Sequence, residues 1–147
     1  MDISKIQLVQ IPAEILRQKC KETEYSEDLR RAADKMLNIM LVNEGVGLAA
    51  NQANLDIRMF VMKTPKMKRP KTFINPVITY GCVPFEEEEG CLSCPGVRKM
   101  VKRNRYVLIE YIDYEGKKVK EHLRDLEARC AQHEIDHLDG ILLVDKP

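Results

Sequence analysis

The segment Leu126–Gly140, LEARCAQHEIDHLDG, decides how this chain is read. Counted from Leu126, Cys130, His133 and His137 follow at four, seven and eleven residues, so they share one stripe of a helix. Gly140 stands just past the last periodic residue, where helices stop. Both imidazoles then face the core, and Glu134 lies one step round, close enough to reach a water without being a ligand. HExxH at this spacing is the pattern of two metal ligands beside an acid/base group. The same five residues also occur in exposed helices that bind nothing, and two imidazoles do not hold a catalytic ion alone. The reading therefore turns on a third ligand elsewhere.

The candidates are few. His122, the remaining histidine, falls in a charged strand, the setting of a surface residue. The histidine or glutamate that follows such a helix in zinc peptidases has no counterpart before Pro147. Cysteine is the better donor, and EEEEGCLSCPG (Glu86–Gly96) offers Cys91 and Cys94. One thiolate with two imidazoles leaves a fourth position for water, the open arrangement of a catalytic site. Two thiolates would close it into a structural Cys2His2 site. Against closure, 38 residues separate Cys94 from His133, Glu134 is left without a task, and a domain of this length does not need a metal to fold. A CxxC redox pair lacks a surrounding βαβ pattern.

Around these residues the chain reads as one soluble globular domain, residues 1–147, with 44% hydrophobic and 32% charged residues. A net charge of +1 points to neither nucleic acid nor an anionic membrane, and the absence of tryptophan weighs against a base-stacking surface. The basic clusters KTPKMKRPK (Lys63–Lys71) and RKMVKRNR (Arg98–Arg105), like the acidic run Glu86–Glu89, read as solvated surface. MDISKIQLVQ lacks a basic stretch followed by an apolar one, and no segment reads as a membrane span, so a cytoplasmic protein is expected. Five cysteines in such a protein are free thiols or metal ligands rather than a disulfide framework.

The element order is α+β. PAEILRQ predicts a short helical turn after Pro12. Leu29, Ala33, Met36, Leu37, Met40 and Leu41 predict an amphipathic helix from Ser26 to about Asn43, with Ser26 as N-cap. IRMFVM from Ile57 and FINPVITY from Phe73 read as strands, Pro76 requiring an edge or a break. YVLIEYID, the turn YEGK and KVKEHL predict a hairpin from Tyr106 to Leu123.

GVGLAANQ (Gly45–Gln52), EGCLS (Glu89–Ser93) and QHEIDH (Gln132–His137) resemble the three signature motifs of peptide deformylase, in the family's order. QIPAEILR, INPVI and HLDGILLVD extend the resemblance over about Leu8–Asp145. Taken alone, GVGLAANQ reads as a glycine C-cap leading into a loop. The family removes the N-formyl group from the initiator methionine of new bacterial or organellar polypeptides, releasing formate. The resemblance implies a single α+β domain, antiparallel sheets packed around a central metal-binding helix. It implies Cys91, His133 and His137 as ligands, Glu134 as acid/base residue, and Gln52 (side-chain amide) with Leu92 (backbone N–H) as oxyanion donors.

Further along the site, the resemblance has Val46 and Gly47 pairing their backbone with the substrate's, and Arg98 contacting the peptide. Val46, Leu126, Cys130 and the ring of His133 would wall the methionine pocket. Arg129 stands where some relatives carry an apolar residue; a rim position would lay its stem over the pocket with its charge in water, and the substitution leaves the pocket's width open. Cys94 replaces a frequent isoleucine and is expected to pack. The cofactor implied is one divalent ion, Fe²⁺ natively, with Zn²⁺, Ni²⁺ or Co²⁺ able to replace it in purified protein. The partners are N-formylmethionyl peptides and nascent chains, met by a monomer in a bacterial or phage-infected cytoplasm, with no nucleic acid and no membrane. Many relatives continue with a helix that in some helps dock the ribosome. The sequence here stops at LLVDKP, as in a short, phage-type form, and ribosome docking is left open. Two other classes remain: a small zincin-like peptidase, which would lack the cysteine ligand, and a zinc-binding interaction module, which would need Cys94.

Overall fold

The helical period after Ser26 becomes α1, Glu27–Val42, in the computed structural model, which describes residues 1–147. Ser26 is extended as an N-cap residue, and Glu27 and Asp28 occupy the first turn, where carboxylates complement the helix dipole. Leu29, Ala32, Ala33, Met36 and Met40 form its buried side. Leu41, expected on that stripe, is exposed, because one residue past Met40 turns about 100° away from the buried side.

Five strands follow: β1 (Gly47–Ala49), β2 (Met59–Met62), β3 (Lys71–Gly90), β4 (Arg98–Ile112) and β5 (Lys118–Arg124). They form one sheet in the order β1-β2-β3-β4-β5, every neighbouring pair antiparallel. This corrects the expectation of several sheets. The 20-residue β3 carries the pairing continuously from β2 to β4 and changes register between Ile74 and Val77 and between Ile78 and Tyr80. Pro76, which cannot donate to a ladder, sits inside the first irregularity, beside Asn75 at φ 49°. Thus the break that Pro76 demanded is a bulge within one strand.

The charge runs are surface as expected at Glu86, Glu87, Glu88, Arg98, Lys102 and Arg105, but not at Glu89 and Arg103. Glu86–Gly90 and Arg98–Lys102 are facing strands, with Glu86 opposite Lys102, Glu89 opposite Lys99 and Gly90 opposite Arg98. Opposite charges across a ladder stabilise it, so the two runs form a hairpin with most of its charges in solvent. Alternation turns Glu89, Val101 and Arg103 inward, where they are buried. The predicted β4–β5 hairpin forms, its turn held by Asp113 Oδ1, which accepts the N–H groups of Glu115 and Lys117, with Gly116 at φ 87°.

Helix α2, Asp125–Leu138, packs against β1, β2, β4 and β5. Ala128, Ala131 and Leu138 meet Phe60, Phe73 and Tyr111 in one apolar cluster, and α1 covers a second containing Leu48, Met59, Val61 and Ile74. Phe60 and Phe73 stack at 4.4 Å between ring centroids. Gly140 ends α2 at φ 76°, and a β-carbon there would lie 2.5 Å from the Arg17 carbonyl oxygen. No helix is long and apolar enough to cross a membrane. Because Phe73 is fully buried between Phe60 and Tyr111, Phe73→Ala is expected to lower the free energy of unfolding by about 3–5 kcal/mol in a denaturant titration, the range for emptying an aromatic site in a packed core.

Candidate metal centre

The β3–β4 hairpin delivers the sulfur. Cys91 is the first residue beyond β3, in a turn closed by the Cys94 N–H to the Cys91 carbonyl at 3.1 Å. Helix α2 delivers two rings one turn apart. Their Nε2 atoms lie 3.1 Å from each other, and Cys91 Sγ lies 3.2 Å from Nε2 of His137. Cys91, His133 and His137 form the group of metal-ligating side chains whose donor atoms come together, and Cys94 and His122 are not in it. Cys94 is instead fully buried, in agreement with a packing role.

The donors present suit an ion. A tetrahedral ion bonded to nitrogen at about 2.0–2.1 Å and to sulfur at about 2.3 Å sets N···N near 3.3 Å and N···S near 3.6 Å; the two rings and the Cys91–His137 pair come within roughly half an ångström of these, and all three donors lie within 4.8 Å of one another. Burial opposes a charge on His133, yet its interactions with Cys91 and Glu89 outweigh this and push its pKa up to about 10. His137, through burial and the neighbouring His133, is held well below the usual imidazole range.

Behind His133 stands Glu89. Its Oε1 lies 2.9 Å from His133 Nδ1, so a ring that gives its Nε2 lone pair to an ion keeps its proton on Nδ1, facing Glu89. Arg103 forks onto both Glu89 oxygens at 3.0 Å and also donates to Asp136. Burial alone would raise the Glu89 pKa, but His133 and Arg103 hold it well below the usual carboxylate range. Arg129 completes the cluster and does not take the rim position in which its charge would lie in water: it is buried, donating to Glu89, to the Val101 carbonyl and to the Phe85 carbonyl, with its guanidinium 4.7 Å from the Phe85 ring centroid. Its charge is in the ion-pair cluster, not in water, because Glu89 sits inward on β3 and needs the second cation. Sequence reasoning missed Glu89 and Arg103, although Val101, Arg103 and Val107 lie in one phase of a strand alternation.

Glu134 is 4% exposed, and its Oε1 has no hydrogen-bond partner. Burial pushes its pKa up to about 7 against the pull of His133 and Arg103. Gly47 makes room for it: a β-carbon there would lie 2.5 Å from Cys130 Sγ and 2.7 Å from Glu134 Oε2. Gln52 follows β1 in a 3-10 turn, Ala50–Ala53. Its Oε1 accepts the Ala49 N–H at 2.9 Å, and its Nε2 donates to Ser93 Oγ at 3.1 Å with a longer contact to Cys91 Sγ at 3.4 Å. Val46, Leu92, Leu126, Cys130, Arg129 and Glu134 line a cavity of about 570 Å³, with Val46 and Leu126 half-exposed at its mouth. Arg98 also borders it, its Nε 2.6 Å from Glu88 Oε1.

A family model described as polypeptide deformylase matches residues 5–147. The chain is 42% identical over 142 residues to a peptide deformylase of Borreliella burgdorferi, covering 95% of this chain and 86% of the relative. The chain belongs to the peptide deformylase family.

Solved members share the fold. A probable peptide deformylase from Synechococcus phage S-SSM7 superposes with a TM-score of 0.92 at 34% identity, covering 97% of this chain and 99% of that one. A peptide deformylase from Synechococcus elongatus, solved with actinonin, gives 0.91 at 35% identity over 96% of this chain and 78% of that one. As a peptide deformylase, the chain is a metal-dependent hydrolase that removes the N-formyl group from nascent peptides. Within this deformylase, Arg129→Met removes one of two cations from a buried carboxylate. The variant is expected to lose about 3 kcal/mol of stability in a denaturant titration, since breaking a buried ion pair from one side leaves its partner uncompensated.

Proposed function

We propose that residues 1–147 act as one catalytic unit in which Cys91, His133 and His137 hold a single divalent ion and the neighbouring residues deformylate formylmethionyl peptides. The observation that carries this is one sulfur and two Nε2 atoms gathered at hydrogen-bond spacing beside a buried carboxylate, on the wall of a cavity. We assign Fe²⁺ as the native ion, with Zn²⁺, Ni²⁺ or Co²⁺ as substitutes, although affinity alone favours zinc over ferrous iron. When bound, the ion supplies Lewis acidity, polarising the formyl carbonyl and making water acidic near neutral pH.

The remaining work falls to the chain. Glu134 is no ligand, its Oε1 is unclaimed, and its pKa near 7 suits proton transfer in both directions. It takes the proton of the attacking water and returns it to the leaving amine nitrogen. Charge developing on the formyl oxygen is met by Gln52 Nε2, one of whose N–H groups is held only by the long contact to sulfur, and by the Leu92 N–H, which has no acceptor within the protein. One such donor is commonly worth about 10²- to 10³-fold.

The methionine side chain enters between Val46, Leu126 and Cys130, beside the ring of His133. Both terminal nitrogens of Arg129 donate elsewhere, to Glu89 and to the Val101 and Phe85 carbonyls. The Val46 carbonyl already accepts the Lys63 N–H at 2.8 Å, which leaves the Gly47 backbone to pair with the peptide at the open edge of β1. Arg98 swings from Glu88 to the peptide; that ion pair is exposed and costs little to release. The enzyme works as a monomer on nascent chains in the bacterial or phage-infected cytoplasm.

The experiment is formate release from formyl-Met-Ala-Ser by anaerobically purified protein. We expect turnover that a chelator abolishes, and a Glu134→Ala variant that keeps its metal content but loses about 10²- to 10⁴-fold in kcat, the usual worth of general acid–base catalysis. Cleavage of internal peptide bonds without formate release would contradict the proposal in favour of a peptidase.

A further inference from the structure

Asn51 immediately precedes Gln52 and is fully buried. Its Nδ2 donates to the carbonyl of His137 at 2.5 Å, a carbonyl that also accepts the Gly140 N–H at 2.9 Å. This contact settles which end of the amide faces α2, since an oxygen there would confront another oxygen. Asn51 Oδ1 therefore points elsewhere in a dry interior, and no donor reaches it.

The residue to which Asn51 is tied has the complementary deficit. His137 turns Nε2 toward Cys91 and His133, while its Nδ1 is buried without a partner. An imidazole that gives the Nε2 lone pair to an ion carries its proton on Nδ1, so Nδ1 becomes a donor in need of an acceptor. His133 meets that need with Glu89 at 2.9 Å. Among the other buried polar atoms lacking partners, Arg129 Nε is a donor, Thr64 Oγ1 is a hydroxyl on a residue whose N–H is bonded to Met67 rather than to α2, Glu134 Oε1 belongs to the catalytic pocket, and Asp56 Oδ1 lies on a residue paired with Lys21. The acceptor on a residue already bonded to His137 is Asn51 Oδ1.

We propose that Asn51 is a positioning residue for His137: Nδ2 holds the backbone of the last turn of α2, and Oδ1 accepts the Nδ1–H of the same residue once its Nε2 faces the ion. The inference rests on His137 being a ligand, as proposed above. The two rings then have different outer partners, a charged carboxylate behind His133 and a neutral amide behind His137. Motif and metal helix are thereby joined twice, because the turn that carries Gln52 also orients a ligand.

The test uses Zn²⁺-loaded full-length protein, with ¹⁵N NMR of the imidazoles, in the parent and in Asn51→Leu. We expect two hydrogen-bonded, slowly exchanging Nδ1–H signals in the parent. In the variant the His137 signal should shift or exchange away, that of His133 should stay, and Zn²⁺ should pass to a chelator about 10- to 100-fold faster, the usual effect of losing an outer partner. The KM for a formyl peptide should not change. An unaltered His137 signal with an unaltered release rate overturns the proposal. Should Asn51→Leu fail to fold, the parent alone decides, through a nuclear Overhauser effect between His137 Nδ1–H and the Asn51 amide protons; its absence is equally fatal. If Zn²⁺ leaves the Nε2 resonances of both rings unmoved, the ligand assignment itself falls, a result distinct from an Asn51 effect that is merely missing.

Discussion

Two ring nitrogens 3.1 Å apart, with a sulfur 3.2 Å from one of them, bring three donors of a metal ion into one small space. This constraint organises the rest of the chain. Each donor comes from a different depth of the sequence, Cys91 from a hairpin end and the histidines from the last helix. Their meeting requires the sheet to bring that hairpin across α2. The 20-residue β3 does so, paired with β2 at one end and with β4 along the rest of its length.

Charge balance around the donors is the second requirement. Glu89 sets the tautomer of His133, yet a buried carboxylate is costly unless cations meet it. Arg103 and Arg129 both do, and Asp136 takes the other side of Arg103. The cluster is therefore close to neutral and rigid, which suits a platform for a ligand. Gly47 serves the opposite need, giving the Glu134 carboxylate room beside the β1 backbone without a covering side chain. The same helix thus carries a histidine held by the buried Glu89 and, one position on, a carboxylate left with a free oxygen to exchange a proton.

Much of this was legible in the sequence, for reasons that can be named. α1, α2 and the β4–β5 hairpin follow from apolar periodicity and turn chemistry, both local properties. The residues alone offered both Cys91 and Cys94; the choice of Cys91 came from the resemblance, and the convergence of Cys91 with the two histidines agrees with it. What stayed hidden was long-range. The acidic and basic runs around Glu86–Glu89 and Arg98–Arg105 look like surface until they pair, because only the ladder shows that every second residue turns inward. A rim position stayed open for Arg129 since its partner Glu89 lies 40 residues away in sequence. β1 is three residues long, too short for any alternation to register.

The alternatives differ in what surrounds the ion. A closed Cys2His2 module needs a second sulfur, and a zincin-like peptidase needs none. X-ray absorption at the metal edge of the Zn²⁺-loaded protein counts these donors directly. The account predicts one sulfur at about 2.3 Å and two imidazole nitrogens at about 2.0–2.1 Å, with a light oxygen scatterer completing the shell. Two sulfurs, or none, would contradict it.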